Sequence, residues 1–290
     1  MTQITAEMVR DLRERSGAGM MDCKKALVAA NGEIDQAIEA LRKAGQASAV
    51  KKGSRIAAEG VVTVATAKDN KSAVIAEINC ETDFVAREER FKNFSIAIAQ
   101  DALANNSEDT TAAEEARLGL VAQLGENISV RRIKHIAATA NGVVVSYLHG
   151  GDAAAARIGV LVALDIADEN LAKGIAMHIA AMRPEFLSEA QVPAERVAKE
   201  KEILLAQAQE ANAGKPADIL EKIIGGKIAK FLKEITLLGQ SYVRNQDQTV
   251  GALLAAAKAN VTDYVRFEVG EGIEKKVDDF VSEVMAQARK

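Results

Sequence analysis

The spacing of apolar residues changes at Glu59, and this change restricts the chain to a fold that mixes helices with antiparallel strands. Before Glu59 the apolar residues recur at helical intervals. After it, residues 61–64 and 74–78 have the spacing of a strand hairpin and are followed by a helical pattern. The same order recurs where residues 142–145 and 159–162 precede a second helical pattern. The spacing therefore predicts an α+β fold with a duplicated strand–strand–helix core and antiparallel sheets.

The chain before the strands predicts three short helices. Thr5 is a candidate N-cap, Gly17 and Gly19 interrupt the pattern, and Asn31-Gly32 ends the second helix. Residues 45–55 are small, polar and basic, which predicts a flexible linker to the core.

Two long helical patterns follow the core, and each has a proline in its first turn. Pro193 begins a pattern that reaches Ala213, and Pro216 begins one that reaches Ile235. Their short polar connection predicts an antiparallel helical hairpin that protrudes from the core. The residues expected in its seam are Val197, Ile203, Leu204, Ile219, Ile223 and Ile228.

These patterns divide the chain into five expected segments. They are a three-helix module with its linker at residues 1–54, a core of two related subdomains at 55–182, the hairpin at 183–235, a return to the core at 236–270, and a carboxyl-terminal helical module at 271–290.

Composition excludes several classes of protein. A formal charge of -4 over 290 residues gives no broad attraction to phosphate backbones, so direct nucleic-acid binding is not expected. No apolar run is long enough to cross a bilayer, and the polar start lacks the features of a secretory signal. The cytoplasm is therefore the expected compartment.

Residues that could carry chemistry are sparse. Cys23 and Cys80 lie far apart, which favours two buried thiols over a disulfide or a thiolate metal site. His135, His149 and His178 occur singly, without the close second ligand of a zinc site. The sequence has no phosphate-binding loop. We therefore expect no cofactor and no metal. No Ser, Cys or Asp nucleophile is visibly paired with a base, and a pair assembled by folding stays open.

Two polar features fit ordinary structural roles. His178 lies on the apolar side of a predicted helix, which predicts a core histidine with its hydrogen bonds satisfied. Arg131 and Arg132 lie in a strand-like segment of nearly neutral charge, which predicts a solvated strand face.

A polar junction follows the strand at residues 74–78. Phe84 lies there, after Asp83 and before the charged residues 88–90. Two interpretations are open: Phe84 folds back onto its own helix as a hydrophobic staple, or it stays exposed as an anchor for another protein. The first repeat is about seven residues longer than the second at this junction, and repeat packing does not require such an insertion, which favours the anchor.

Five stretches of the sequence resemble one known family. Residues 77–87 (EINCETDFVAR) resemble the signature of the elongation factor Ts family, and residues 12–27 (LRERSGAGMMDCKKAL) resemble its amino-terminal signature. The resemblance continues through residues 125–128, 157–162 and 266–272, and it covers nearly the whole chain. Members of that family are guanine-nucleotide exchange factors for the translational GTPase elongation factor Tu.

The resemblance implies a mechanism. An exchange factor of this kind binds elongation factor Tu with GDP, displaces magnesium and GDP, and lets GTP bind during translation elongation. Asp83 and Phe84 would intrude between two helices of the nucleotide domain of the GTPase, and the segment from Thr82 to Val85 would help to displace magnesium. The further partner contacts that the resemblance implies are Arg13, Met20, Met21, Lys24, Ile128, His149 and the last helix.

The resemblance also implies that the amino-terminal three-helix module is ubiquitin-associated-like. Burial of Met20 and Met21 inside that module is an open alternative to partner contact. The position of His149 is open too, because residues 150–156 form a longer loop than the family pattern has.

Two other functions stay open on the residues alone. One is a non-catalytic scaffold or chaperone-like binder that associates with itself through the hairpin. The other is a small-molecule enzyme with a site around Asp83 and His149. A monomer, a homodimer and a complex with two copies of each partner are all compatible with the sequence.

Overall fold

The computed structural model describes residues 3–152, 154–211 and 217–274. Its helices are α1 (Ala6–Ser16), α2 (Met20–Ala29), α3 (Ile34–Lys52), α4 (Asp83–Arg87), α5 (Glu89–Asn105), α6 (Glu114–Leu124), α7 (Glu169–Met182), α8 (Ala194–Ala211), α9 (Ala217–Ile235) and α10 (Val250–Ala257). Its strands are β1 (Glu59–Thr66), β2 (Ser72–Cys80), β3 (Ser129–Ala137), β4 (Val143–His149), β5 (Ala155–Ala156), β6 (Ile158–Leu164), β7 (Ser241–Tyr242), β8 (Asn245–Thr249) and β9 (Val261–Glu268). All strand pairs are antiparallel, which confirms the α+β prediction. No helix among these ranges is long and apolar enough to cross a membrane.

Helices α1 to α3 pack around a small core that includes Leu12, Cys23 and Leu27. The Thr5 hydroxyl accepts a hydrogen bond from the Met8 amide at 3.2 Å, which confirms the predicted N-cap. Gly17 ends α1 in the left-handed region at φ 67°, where glycine carries no steric cost.

The linker predicted at residues 45–55 is wrong for most of its length. Helix α3 continues to Lys52, and Ala49 is buried in the core below the first sheet. Helix α3 also packs against α6. The small residues that suggested a flexible chain are compatible with a helix, and burial of Ala49 stabilises the helical conformation.

The first sheet has the strand order β3-β2-β1-β5. The predicted hairpin is confirmed: β1 and β2 pair in a register that places Val61 opposite Ile78. Helix α5 packs across β1 and β2 and buries Phe91 and Ile98. Strand β5 then adds a short edge beside β1.

The second sheet has the order β4-β6-β9, with α7 packed across β4 and β6. In each sheet the second strand pairs with the first and with a strand that follows the helix, so the predicted duplication is confirmed. A Cβ at Gly159 would lie 2.5 Å from Val62 Cγ1, so this glycine permits the two sheets to pack closely.

The two repeats differ in the connection from the second strand to the helix. Residues 81–88 separate β2 from α5, whereas residues 165–168 separate β6 from α7. The first connection is therefore four residues longer rather than about seven. The longer connection contains α4, which the sequence did not predict.

Helices α8 and α9 pack on each other and form the predicted hairpin. Its base joins the core where the Glu185 amide donates to the Ile235 carbonyl at 2.9 Å. The predicted seam is partly wrong, because Ile203 and Ile219 are exposed while Ile224 is buried. The predicted connection at residues 212–215, Pro216 and nearly all of the predicted last helix lie outside the described residues.

The chain returns from the hairpin to the second sheet. Strands β7 and β8 form a short ribbon, and Thr249 caps the short helix α10. His178 is buried, and its ring nitrogens pair with Gln240 at 2.9 Å and with the Val243 amide at 3.1 Å. This confirms the predicted core histidine.

The predicted solvated face at Arg131 and Arg132 is wrong. Both guanidinium groups bond to the carboxylate of Glu77, which is fully buried in β2. A buried carboxylate requires charged or polar partners, and these arginines supply them.

Candidate functional site

The junction after β2 forms a short helix rather than a loop. Thr82 has an extended backbone at φ -124° and ψ 156°, and its hydroxyl accepts a hydrogen bond from the Val85 amide at 3.3 Å. Thr82 is therefore the N-cap of α4, which has only five residues. Such a short helix is unstable alone, so its neighbours must hold it.

The two faces of α4 have different environments. Ala86 is buried, and Val85 packs against the core beneath α5. Phe84 is 80% exposed. The staple interpretation of Phe84 is therefore wrong, and the ring is free to contact another molecule. Val85 is partly buried, so in the free chain its side chain helps to anchor α4, and its contact with a partner stays a prediction.

Charged residues complete the surface of α4. Asp83 Oδ2 accepts a hydrogen bond from Arg87 at 2.8 Å, and both side chains are substantially exposed. The Glu88 carboxylate accepts hydrogen bonds from the amides of Arg90 and Phe91 and so caps α5. This cap, with the extended backbone at Glu88, separates α4 from α5.

The turn between α6 and β3 supports the start of α4. The Glu126 carboxylate accepts hydrogen bonds from the amides of Glu81 and Thr82, at 3.1 and 3.0 Å, and from the Thr82 hydroxyl at 2.6 Å. In return, the Asn127 amide donates to Glu81 Oε1 at 2.6 Å. Glu126 was not predicted to belong to this site, because no local spacing relates residues so far apart along the chain.

Cys80 contacts the same backbone from below. Its Sγ donates to the Thr82 carbonyl at 3.1 Å. Burial, with the nearby Glu126 carboxylate as a second cause, raises the pKa of Cys80 to about 12. The group is therefore a neutral thiol near pH 7 and is able to donate this hydrogen bond.

The predicted contact residues of the amino-terminal module are on its surface. Met20 and Met21 are 51% and 62% exposed, so the alternative that they are buried in the module is wrong. Arg13 and Lys24 are exposed as well. Large exposed apolar side chains beside cations are typical of a protein-binding surface.

Ile128 does not fit a direct contact. Its side chain is fully buried in the core that α5 and the first sheet share. Its contact with a partner stays a prediction that this burial does not support; in the free chain, Ile128 supports the turn that carries Glu126.

His149 is the last residue of β4 and is exposed. Its Nδ1 lies 3.1 Å from the Tyr147 hydroxyl. Beyond it, Asp152 pairs with Lys92 of α5 at 2.8 Å, and Ala155 and Ala156 pair with β1. Asp83 and His149 are each paired with other residues and are not hydrogen-bonded to each other in the part of the chain that the structure describes.

Comparison with known proteins decides the family. The family model described as "Elongation factor TS" matches residues 81–271, from the start of the α4 junction to just beyond the end of β9. The chain belongs to the elongation factor Ts family. Membership in the elongation factor Ts family places it among the factors of translation elongation and protein biosynthesis.

Relatives of the elongation factor Ts family match over the full chain. Elongation factor Ts of Legionella pneumophila (strain Paris) is 52% identical, with 100% of both chains covered. Elongation factor Ts of Thioalkalivibrio sulfidiphilus (strain HL-EbGR7) is 51% identical, with 99% of both covered. Elongation factor Ts of Coxiella burnetii (strain Dugway 5J108-111) is 48% identical, with 100% of this chain and 99% of the relative covered. The similarity thus includes the amino-terminal module that the family model does not cover.

Proposed function

We propose that this chain is a guanine-nucleotide exchange factor of the cytoplasm that binds elongation factor Tu with GDP and speeds the release of GDP so that GTP can bind. It changes no covalent bond. Family membership and the exposed, backbone-anchored Phe84 support this function. The single observation that carries it is the 80% exposure of Phe84 on a helix whose other face is buried.

The proposed action follows from reciprocity. A protein that binds the nucleotide-free GTPase more tightly than the GDP form must weaken GDP binding by the same factor. In the proposed complex, Phe84 is an apolar wedge between two helices of the nucleotide domain, and Asp83 supplies polar contacts. The segment from Thr82 to Val85 would help to displace the magnesium ion of the GTPase.

One wedge is not enough for large acceleration. A thousandfold faster release requires about 4 kcal/mol, whereas burial of one phenylalanine provides about 1.5 to 3 kcal/mol. We assign the remainder to the exposed contact residues outside α4, which are Arg13, Met20, Met21, Lys24 and His149.

A stopped-flow record of fluorescent GDP leaving elongation factor Tu tests the proposal. The wild-type chain is expected to accelerate release in a concentration-dependent, saturable way. A scaffold or chaperone-like binder would form a complex and leave the release rate unchanged. A small-molecule enzyme would show turnover without the GTPase. Release at the rate seen in buffer alone would refute the exchange function.

A further inference from the structure

We propose that Glu126 is a positioning residue for nucleotide exchange, because its carboxylate holds the start of α4 so that Asp83 and Phe84 are presented in one orientation. The effect of Glu126 on nucleotide exchange rests on the proposed function. The support of α4 rests on the hydrogen bonds of the free protein alone.

Three donors converge on the Glu126 carboxylate. Oε2 accepts the amides of Glu81 and Thr82, at 3.1 and 3.0 Å, and Oε1 accepts the Thr82 hydroxyl at 2.6 Å. Hydrogen bonds to an ionised acceptor are about twice as strong as neutral ones. Because the donors belong to two consecutive residues, one side chain fixes both the backbone direction and the Thr82 rotamer. We call this set of bonds the Glu126 clasp.

The clasp is connected directly to the first turn of α4. The Thr82 hydroxyl donates to Glu126 and also accepts from the Val85 amide. Phe84 is 80% exposed, so little packing of its own fixes its direction. Its orientation is therefore set by the α4 backbone and, through Thr82, by the clasp.

The turn that carries Glu126 is itself supported. Glu81 Oε1 accepts the Asn127 amide at 2.6 Å, and Asn127 Nδ2 donates to the Arg55 carbonyl at 2.8 Å. The clasp is thus braced from both sides, as a site needs when its contacting residues lie on a short helix.

Loss of the clasp should affect the maximum GDP release rate more than the half-saturating concentration. A wedge that is already ordered loses little conformational entropy when it inserts. Without the clasp, that ordering cost falls on the step in which Phe84 enters the GTPase. The maximum release rate should therefore fall, whereas the half-saturating concentration, which also depends on contacts outside α4, should change little.

Hydrogen exchange of the free protein tests the geometry, and GDP release tests its consequence. Glu126→Ala is expected to speed amide exchange at residues 81–87 about tenfold or more, without changing exchange in the centre of β2. It should lower the maximum GDP release rate about tenfold and change the half-saturating concentration less than about threefold. The control is Glu202→Ala, an exposed glutamate of α8, which should behave as wild type in both measurements.

A substitution at Thr82 separates positioning from general stability. Thr82→Val removes the hydroxyl that joins Glu126 to the Val85 amide, so it should speed amide exchange at residues 81–87 of the free protein and slow GDP release. Because the two side chains share one hydrogen bond, combining Glu126→Ala with Thr82→Val should slow GDP release by less than the product of the two single effects.

The outcomes separate the two proposals. If amide hydrogen exchange at residues 81–87 is unchanged in Glu126→Ala, the clasp is overturned. This holds even if the wild-type protein does not accelerate GDP release. If amide exchange at residues 81–87 is faster in Glu126→Ala but GDP release stays at the wild-type rate, the positioning role of Glu126 is overturned. If Glu126→Ala lowers the melting temperature of the whole protein, Thr82→Val decides, since it removes one hydroxyl. Wild-type GDP release then overturns the inference, and slowed release together with faster amide exchange at residues 81–87 supports it.

Discussion

Glu77 Oε2 accepts a hydrogen bond from Arg132 Nε at 2.6 Å across the β2–β3 pair, and the Glu77 carboxylate is fully buried. Glu77 Oε1 accepts bonds from Arg131 at 3.0 Å and from the Gly270 amide at 2.8 Å. The Arg132 guanidinium also lies 4.0 Å from the centre of the Phe267 ring. This carboxylate therefore joins the first sheet to the turn that follows β9 of the second.

Glu77→Ala should destabilise the protein strongly. The change leaves two arginines and a backbone amide without their buried acceptor, and breaking a buried pair costs about 3 to 5 kcal/mol. Urea unfolding followed by circular dichroism measures the free energy of unfolding. Lys230→Ala removes an exposed pair with Glu234 and should change it little. Equal stability of Glu77→Ala and wild type would contradict the role of this carboxylate.

Phe84→Ala should slow GDP release from elongation factor Tu without unfolding the protein. The ring is exposed in the free chain, so its removal leaves no cavity. Loss of about 1.5 to 3 kcal/mol of burial in the complex corresponds to a release rate roughly 10 to 150 times lower. Stopped-flow release measures it, with Ile203→Ala as the matched control for an exposed apolar residue. Wild-type rates in Phe84→Ala would remove the wedge from the mechanism.

Replacing both Met20 and Met21 by alanine should weaken binding to nucleotide-free elongation factor Tu about tenfold or more, because two apolar side chains leave the proposed interface. The melting temperature should stay the same, since both side chains are exposed in the free protein. Titration calorimetry measures the affinity. Met182→Ala, an exposed methionine at the end of α7, is the control and should bind normally.

Cys80 should resist alkylation and should make the protein less stable at alkaline pH. The thiolate is the reactive form, and burial raises the pKa of Cys80 from 9.0 to about 12. Between those values the unfolded chain loses this proton and the folded chain keeps it, so stability falls as the pH rises. Mass spectrometry after iodoacetamide treatment should show slow labelling that becomes fast in urea. Labelling at the same rate in both conditions would contradict the burial.

Asp152 should titrate near pH 2. The Lys92 ammonium, with the amides of Ala154 and Ala155, lowers the pKa of Asp152 from 3.8 to about 2. This pairing therefore stabilises the loop above pH 3.8, and the benefit is lost as the pH falls through 2. In Lys92→Ala, carbon-detected NMR should show the pKa moving back towards 3.8. An unchanged titration would mean that Lys92 does not hold the loop.

Local patterns predicted the parts of the fold that local chemistry decides. Thr5 caps α1 because a hydroxyl before an apolar-periodic segment satisfies a free helical amide. His178 is a core residue because its helix has one apolar face, and burial lowers its pKa. The repeat could be recognised from strand spacing alone, since each strand is largely buried and its pattern is strong.

Other features depend on contacts between distant residues, and the sequence could not reveal them. Glu126 lies 44 positions from Thr82, so no periodicity connects them. Helix α3 continues because Ala49 meets a core formed much later in the chain. The hairpin seam was misplaced because two adjacent stripes of α9 are apolar, and only the partner helix selects Ile224 over Ile219. A single carboxylate inside the apolar β2, Glu77, was the one available signal that Arg131 and Arg132 are not simply solvated.

The unbroken course of α3 from the amino-terminal module to the buried Ala49 makes the phase of that helix a determinant of where the module points. Each residue inserted or deleted between Gly45 and Ala49 would turn the module by about 100° around the helix axis and shift it by about 1.5 Å. The number of residues in this stretch therefore fixes the direction of the amino-terminal module, although their side chains need not touch any partner.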